Sequence, residues 1–376
     1  MGFVMAATGS LQRILSVARK EAVHIRRDPV TFFFALALPI VEMFMLGYAI
    51  DTNVRHIHTV VFDECRTQET KELLKSFENS EDFTIIDYVQ TEAALQEAIV
   101  AGRAKVGIHI PEDYSRRLDM KQTAQVLILV DGSESSVTGE AVNVANAIAL
   151  RESLSRVLGN QPLPIDSRPR VLFNPDTRSP NFFIPGLMVV LSQMMATMLT
   201  ANAVVREKEN GTLEQLFMTP VRARELMVGK MLPYLVLAFI EFTGIAIFMR
   251  VFFQVPIHGS FATLLIIALP FALACLALGL WISTRATTRD AASQMVIGTV
   301  MPCIFLSGYI FPTASMPWFF RQISWVLPTT WMIDAARGVI LRGAGWVELW
   351  PHATLLWVIA LALLTLATLK FQKKLT

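Results

Sequence analysis

Six runs of about twenty or more mostly apolar residues, at 31–50, 182–205, 227–252, 261–283, 291–311 and 349–369, leave this chain few ways to fold. A helix rises about 1.5 Å per residue, so about 20 such residues cross the roughly 30 Å hydrocarbon core of a bilayer with every backbone polar group bonded internally. With 53% hydrophobic and only 17% charged residues, the chain is too apolar for an ordinary soluble domain. The expected fold class is an α-helical integral membrane protein with six transmembrane helices. No small-residue cleavage site follows the first run, which therefore reads as a retained helix and not a signal peptide.

Charge sets the expected orientation. Arg13, Arg19, Lys20, Arg26 and Arg27 precede the first run, and Lys370, Lys373 and Lys374 follow the last. The positive-inside rule places both ends in the cytoplasm, as an even number of spans requires. Residues 51–180 hold 20 Asp/Glu against 14 Lys/Arg, and the rest of the chain 11 against 19. Alternation then puts 51–180 outside and 206–226 and 284–290 inside. Segment 312–348 fits less well, since it falls outside yet carries Arg321, Arg337 and Arg342. Its amphipathic pieces suit a re-entrant or surface-lying segment whose arginines snorkel, and Trp318, Trp325, Trp331 and Trp346 suit an aromatic belt.

The polar segments have their own signatures. Leu11, Ile14, Leu15, Ala18, Ala22 and Ile25 recur at helical spacing within 1–29, predicting an amphipathic helix at the inner interface that ends at Asp28-Pro29. The first transmembrane helix then occupies 30–50. In 51–180, strand-like segments (58–63, 83–89, 105–112, 124–133) alternate with helix-like ones (69–78, 91–102, 137–158). That alternation predicts an external, periplasmic α/β domain, joined by a Pro-rich linker to helices two to six in 181–376. Pro302, Ser307 and Gly308 allow the fifth span to bend or break before the external segment.

One cytoplasmic connection stands out: REKENGTLEQLFMTP, 206–220. Gly211 can end the second span's helix, Thr212 can cap a new one, and Leu213, Leu216 and Phe217 fall on one face of it. Arg206, Glu207, Lys208, Glu209 and Glu214 are left as ion-pairing handles. The pattern E-x-E-x-G-T-L-x-x-L-x-x-x-P, carried by Glu207, Glu209, Gly211, Thr212, Leu213, Leu216 and Pro220, resembles the type-2 ABC exporter permeases. So do Glu225, Leu226, Gly229 and Lys230 just after it, the stretch RSPNFFIPGL at the second span, and the segment Leu306 to Gly343. The resemblance covers essentially the whole chain. It implies that 206–220 is a coupling helix docking on a separate ABC ATPase subunit, which holds ATP and Mg. It implies further a second permease subunit, identical or related, a bacterial inner-membrane location, and export of a drug-like or lipid-like molecule, in some relatives with a periplasmic adaptor.

No phosphate-binding G-x-x-x-x-G-K-[ST] loop occurs, so ATP hydrolysis belongs to another chain and no cofactor is expected in this one. No nucleic-acid partner is indicated. Glu42 and Glu241 fall inside apolar runs, where a carboxylate costs several kcal/mol unless paired, hydrated or protonated. With Gln193 and Met194 they are candidates for a substrate pathway. Interhelical bonding is the other reading, and it is the commoner role for Ser192, Gln193 and Thr197. The 17 methionines suit either a pliable cavity or ordinary packing. Cys65, Cys275 and Cys303 match no disulfide or metal spacing, and His56 and His58 form a pair without further ligands. An intramembrane enzyme lacks its nucleophile or metal constellation here, and a receptor lacks an output domain. A permease for another cargo, a force-transmitting complex acting on external partners, and an ion-coupled secondary transporter remain as alternatives.

Overall fold

Asp28-Pro29 separates the polar amino-terminal helix from the first apolar one. Helix α1 (Gly2–Arg27) stops a residue before α2 (Pro29–Ala49), because proline has no N–H to continue the ladder but suits the first turn of a new helix. The computed structural model describes residues 2–49, 56–133, 135–158, 172–175, 178–211 and 222–370. The chain divides into two units, Met1–Ile50 with Val171–Thr376, and Asp51–Arg170.

The smaller unit is an α/β arrangement. Its strands are β1 (Ile57–Asp63), β2 (Phe83–Tyr88), β3 (Val106–Ile110) and β4 (Leu127–Val130). They lie in the order β2-β1-β3-β4, with β1 parallel to β2 and β3, and β4 antiparallel to β3. Helices α3 (Gln68–Glu78) and α4 (Glu92–Val100) make the two crossovers, and α5 (Tyr114–Asp119) and α6 (Ser135–Leu158) follow β3 and β4. Successive strand residues face opposite sides. Ile57, Val61 and Ile108 therefore pack with Leu73, Phe77, Ala141 and Ala145, while Val60 and Phe62 pack with Leu95 and Ala98. The sheet is thus covered on both faces, as a parallel pairing requires.

Asp131 closes the turn after β4. Its carboxylate accepts from Lys105 Nζ at 2.9 Å and from the Ser133 N–H at 3.0 Å, and these bonds hold it down at about 2. The unfolded chain, with an ordinary aspartate value of about 4, takes up the proton first. The contribution is therefore complete above the unfolded value and fades as the pH falls from about 4 towards 2. Asp131→Asn should lower the hydrogen-exchange protection of Leu127–Val130 at pH 6, and wild type and variant should converge in acid. A constant difference across that range would exclude this linkage.

The larger unit is helical. Helices α7 (Ser179–Glu209), α8 (Ala223–Phe252), α9 (Phe261–Arg285) and α13 (Trp346–Lys370) are each long and apolar enough to cross a membrane. Helix α2 adds a shorter apolar stretch, Ala35–Tyr48. In the fifth apolar run, α10 (Arg289–Leu306) ends early, and Gly308 turns the chain at φ +85°. The chain is thus a helical membrane protein with several long apolar helices and a small sheet region. Helix α7 is central and packs against α2, α8, α9 and α10. Close approach to it depends on small residues, above all Gly279 of α9, which lies against the Thr197 carbonyl.

Segment 312–348 folds into α11 (Trp318–Val326), α12 (Pro328–Arg337) and a π-helical turn, Gly338–Arg342. Two of its arginines do not snorkel but bond within the protein. Arg337 donates to the carbonyls of Gly308 (2.8 Å) and Tyr309 (2.9 Å), with its guanidinium 4.0 Å over the Phe182 ring. Arg342 pairs with Asp334 at 3.2 Å. The early end of α10 leaves carbonyls without helical partners, and Arg337 satisfies them. Arg321 is exposed.

Candidate functional site

The last turn of α7 is a hub in which four consecutive side chains reach different helices. Arg206 meets Asp28, between α1 and α2, at 3.3 Å. Glu207 accepts Lys230 of α8 at 2.6 Å and Lys20 of α1 at 2.9 Å. Lys208 donates to the carbonyls of Ser283 and Ala286, where α9 ends and its last acceptors lack helical donors. Glu209 takes the backbone N–H of Arg289 and its Nε, each at 2.8 Å, at the amino end of α10, where a carboxylate suits the helix dipole. Consecutive residues on a helix point about 100° apart. A short charged string at the end of a central helix can therefore address its surroundings on all sides.

At the centre of the hub is a buried ion cluster. Lys230 is 3% exposed and lies between Glu207 and Glu21, the latter at 3.1 Å. Glu21 is itself buried on the inner face of α1, beside Val17. Gly229, one residue before Lys230, makes the approach possible, since a Cβ there would come within 2.9 Å of the Ile14 carbonyl and 2.8 Å of Val17. One turn earlier, Glu225 accepts Arg13 through both oxygens at 2.8 and 2.9 Å and Ser10 at 2.7 Å, and it reaches back to the Arg222 N–H at 3.0 Å to cap α8. Helix α1 is thereby fastened along α8 at two points.

These contacts alter the reading of the charged stretch. Arg206, Glu207 and Glu209, which the sequence presents as free handles, are engaged inside the subunit. Gly211 ends α7 at φ +67°, a left-handed conformation that glycine adopts without penalty. Thr212, Leu213, Leu216 and Pro220 lie outside the described residues. Sequence reasoning missed Glu21, Arg13 and Lys230 as partners. The available signal was a lysine at the edge of an apolar run and a glutamate on the apolar stripe of an amphipathic helix, two charges that each need the other.

The four pathway candidates lie on three helices, Gln193 and Met194 side by side on α7. Gln193 donates to Cys303 Sγ at 3.2 Å and accepts from Thr329 Oγ1, so both ends of its amide bridge α7 to α10 and α12. Met194 is half-buried against the core. Glu241 on α8 is 1% exposed and neither carboxylate oxygen has a hydrogen-bond partner; on α2, Glu42 leaves Oε2 without one. Ser192 and Thr197 hydroxyls are also unpartnered. Among the described residues no group of three His, Cys, Asp or Glu is placed to hold a metal.

The arrangement ties five helices to the end of one. A central helix ends in a charged knot that bonds to the ends of its neighbours and stops at Gly211. Comparison with known proteins identifies the family. The profile of the family described as "ABC-2 family transporter protein" matches residues 29–369. The chain is 28% identical over 374 residues to the "Probable multidrug ABC transporter permease YbhS" of Escherichia coli (strain K12), covering 97% of this chain and 98% of that one. It is 27% identical over 345 residues to the corresponding YbhR of the same strain, covering 90% and 94%. Against the "Linearmycin resistance permease protein LnrN" of Bacillus subtilis (strain 168) the identity is 21% over 366 residues, covering 89% and 92%. With the family profile matching nearly end to end, this chain belongs to the ABC-2 family of transporter proteins and is a multi-pass membrane permease subunit, not an ATPase.

Proposed function

We propose that this permease crosses a bacterial inner membrane six times with both termini in the cytoplasm and residues 51–180 outside. In this reading it pairs with a second permease subunit. A separate ATPase, carrying ATP and Mg, docks on the connection 206–220 and drives export of a hydrophobic or amphipathic molecule. The relatives named for multidrug and linearmycin resistance favour such a cargo over ion-coupled transport. Glu42, Met194 and Glu241 are proposed to face the route, while Gln193 holds the helices around it together.

The observation that carries the proposal is the hub at the end of α7. Displacing residues 206–209 must displace Asp28, Lys20, Lys230, the end of α9 and the start of α10 with them. A push on the adjoining connection thus becomes movement of a bundle and not of a loop. Packed elements with fixed ion pairs switch between discrete arrangements instead of deforming smoothly. As a helix, the sequence of the connection would set Leu213, Leu216 and Phe217 on one face for a partner's groove, with Thr212 to start it and Pro220 to stop it.

Glu209→Ala should leave the permease folded and inserted, since this pair lies at the exposed rim of the hub. ATP hydrolysis by the reconstituted complex should continue while export falls, because α10 no longer follows α7. Gly211→Pro should be more severe, as proline cannot adopt the positive φ of that residue. Co-purification of the ATPase, its turnover and cargo export are the three readouts. Export at the wild-type level in both variants would exclude the coupling role.

A further inference from the structure

Two concavities of the helical unit meet at the Asp28–Arg206 ion pair. The first is a half-open cavity of about 380 Å³, with apolar walls from Ala35 and Leu38 of α2 and Met195, Met198 and Leu199 of α7, and with Arg289 and Asn202 also lining it. Its size falls in the roughly 300–1,000 Å³ range of small-molecule sites. The second is an open groove of about 820 Å³ along α1, lined by Arg19, Lys20, His24 and Arg27. Asp28 and Arg206 line both.

The charges of the groove are unevenly used. Lys20 is held by Glu207 and Arg206 by Asp28. Among the described residues Arg19 and Arg27 have no carboxylate partner, and both are exposed. Among the described residues Asp28 is the one carboxylate lining the groove, against four permanent cations. The α1 face beside it also exposes Leu11, Leu15 and Val23. An apolar slot therefore opens beside a strip with unspent positive charge.

We infer that this junction binds an anionic amphiphile, with a phosphate or carboxylate head between Arg19 and Arg27 and an alkyl chain in the slot walled by Leu38, Met198 and Leu199. Charge complementarity selects the head, because a guanidinium matches phosphate and carboxylate oxygens with paired donors. The apolar walls select the tail, each methylene removed from water adding to the binding. Asn202, whose amide oxygen has no hydrogen-bond partner, supplies a polar point in the wall. The site is distinct from the candidates Glu42, Met194 and Glu241. It rests on the two concavities and not on transport, so it stands whether the occupant is a resident phospholipid or a molecule on its way out.

The test uses the full chain in mild detergent, with native mass spectrometry counting adducts from an equimolar mixture of phosphatidylglycerol and phosphatidylcholine of matched chains. The expected result is a preference for phosphatidylglycerol that falls about twenty-five-fold in the Arg19→Gln/Arg27→Gln double variant, each arginine contributing about fivefold. Both side chains are exposed and unpaired, so the variant should fold normally. Chain-free glycerol phosphate should compete poorly. Met198→Trp, which fills the slot, should reduce adducts of both lipids. Equal retention of the two lipids by the wild type, an unchanged preference in the double variant, or effective competition by glycerol phosphate would each overturn the site. Adding the ATPase partner and ATP then separates the sources: a bound lipid that persists through turnover is resident, and one that is lost in proportion to hydrolysis is cargo.

Discussion

Lys230→Met is expected to destabilise the protein by about 3–5 kcal/mol, the usual consequence of removing one member of a buried ion cluster. The methionine preserves the volume of the lysine stem, so the loss is electrostatic. Glu21 and Glu207 would be left together, with Lys20 close to both, at 3.8 and 2.9 Å. That lysine is 43% exposed, and water weakens its field where Lys230's was undiluted. Thermal unfolding in detergent should show the loss. The charge-neutral set Glu21→Gln, Glu207→Gln and Lys230→Met should recover much of it, because amides need no counter-ion. If the single variant unfolds at the wild-type temperature, the cluster is not what fastens α1 and α7 to α8.

Gly279→Val should prevent α7 and α9 from packing as they do. A Cβ at Gly279 would overlap the Thr197 carbonyl, which is backbone within the most enclosed helix and cannot rotate away. Gly279→Ala should cost about 1–3 kcal/mol as an overpacked contact, and valine more. The control is Gly298, also helical, where a Cβ would have nothing within 4 Å. There alanine should be neutral or should gain up to about 1 kcal/mol in helix propensity. Size-exclusion profiles and melting temperatures of the three variants give the comparison. Equal behaviour of Gly279→Ala and Gly298→Ala would show that the α7–α9 contact can relax.

Much of the secondary structure was legible because membrane helices and half-buried strands are written in short-range patterns. Asp28-Pro29 marks a true boundary, Gly211 a true helix end, and Gly308 the turn after α10. The strands of the smaller unit fall where 58–63, 83–89, 105–112 and 124–133 placed them, and α3, α4 and α6 where 69–78, 91–102 and 137–158 did, while the short α5 was not anticipated. Pairing was not legible. Nothing local says that β4 runs antiparallel to β3 while β1 runs parallel to both neighbours, since strand direction depends on where the intervening chain returns.

The candidate site divides the same way. The REKE string could be picked out as an anomaly after an apolar run, but its four destinations could not. Glu207 meets a lysine 23 residues ahead and another 187 behind, separations that carry no local periodicity. Gln193 could be read as cavity lining or as glue, and its amide bonds favour glue. Arg337 was an apparent violation of the charge rule until the broken end of α10 supplied its acceptors.

By itself, then, the sequence determined which segments are apolar helices, several of their ends, and which family they belong to. Those properties follow from backbone hydrogen-bonding and from residue polarity, both felt over a few residues. Only the tertiary structure decided which charges meet. An ion in a low-dielectric interior is tolerable only beside its counter-ion, and that partner is brought close by helix packing from far along the chain.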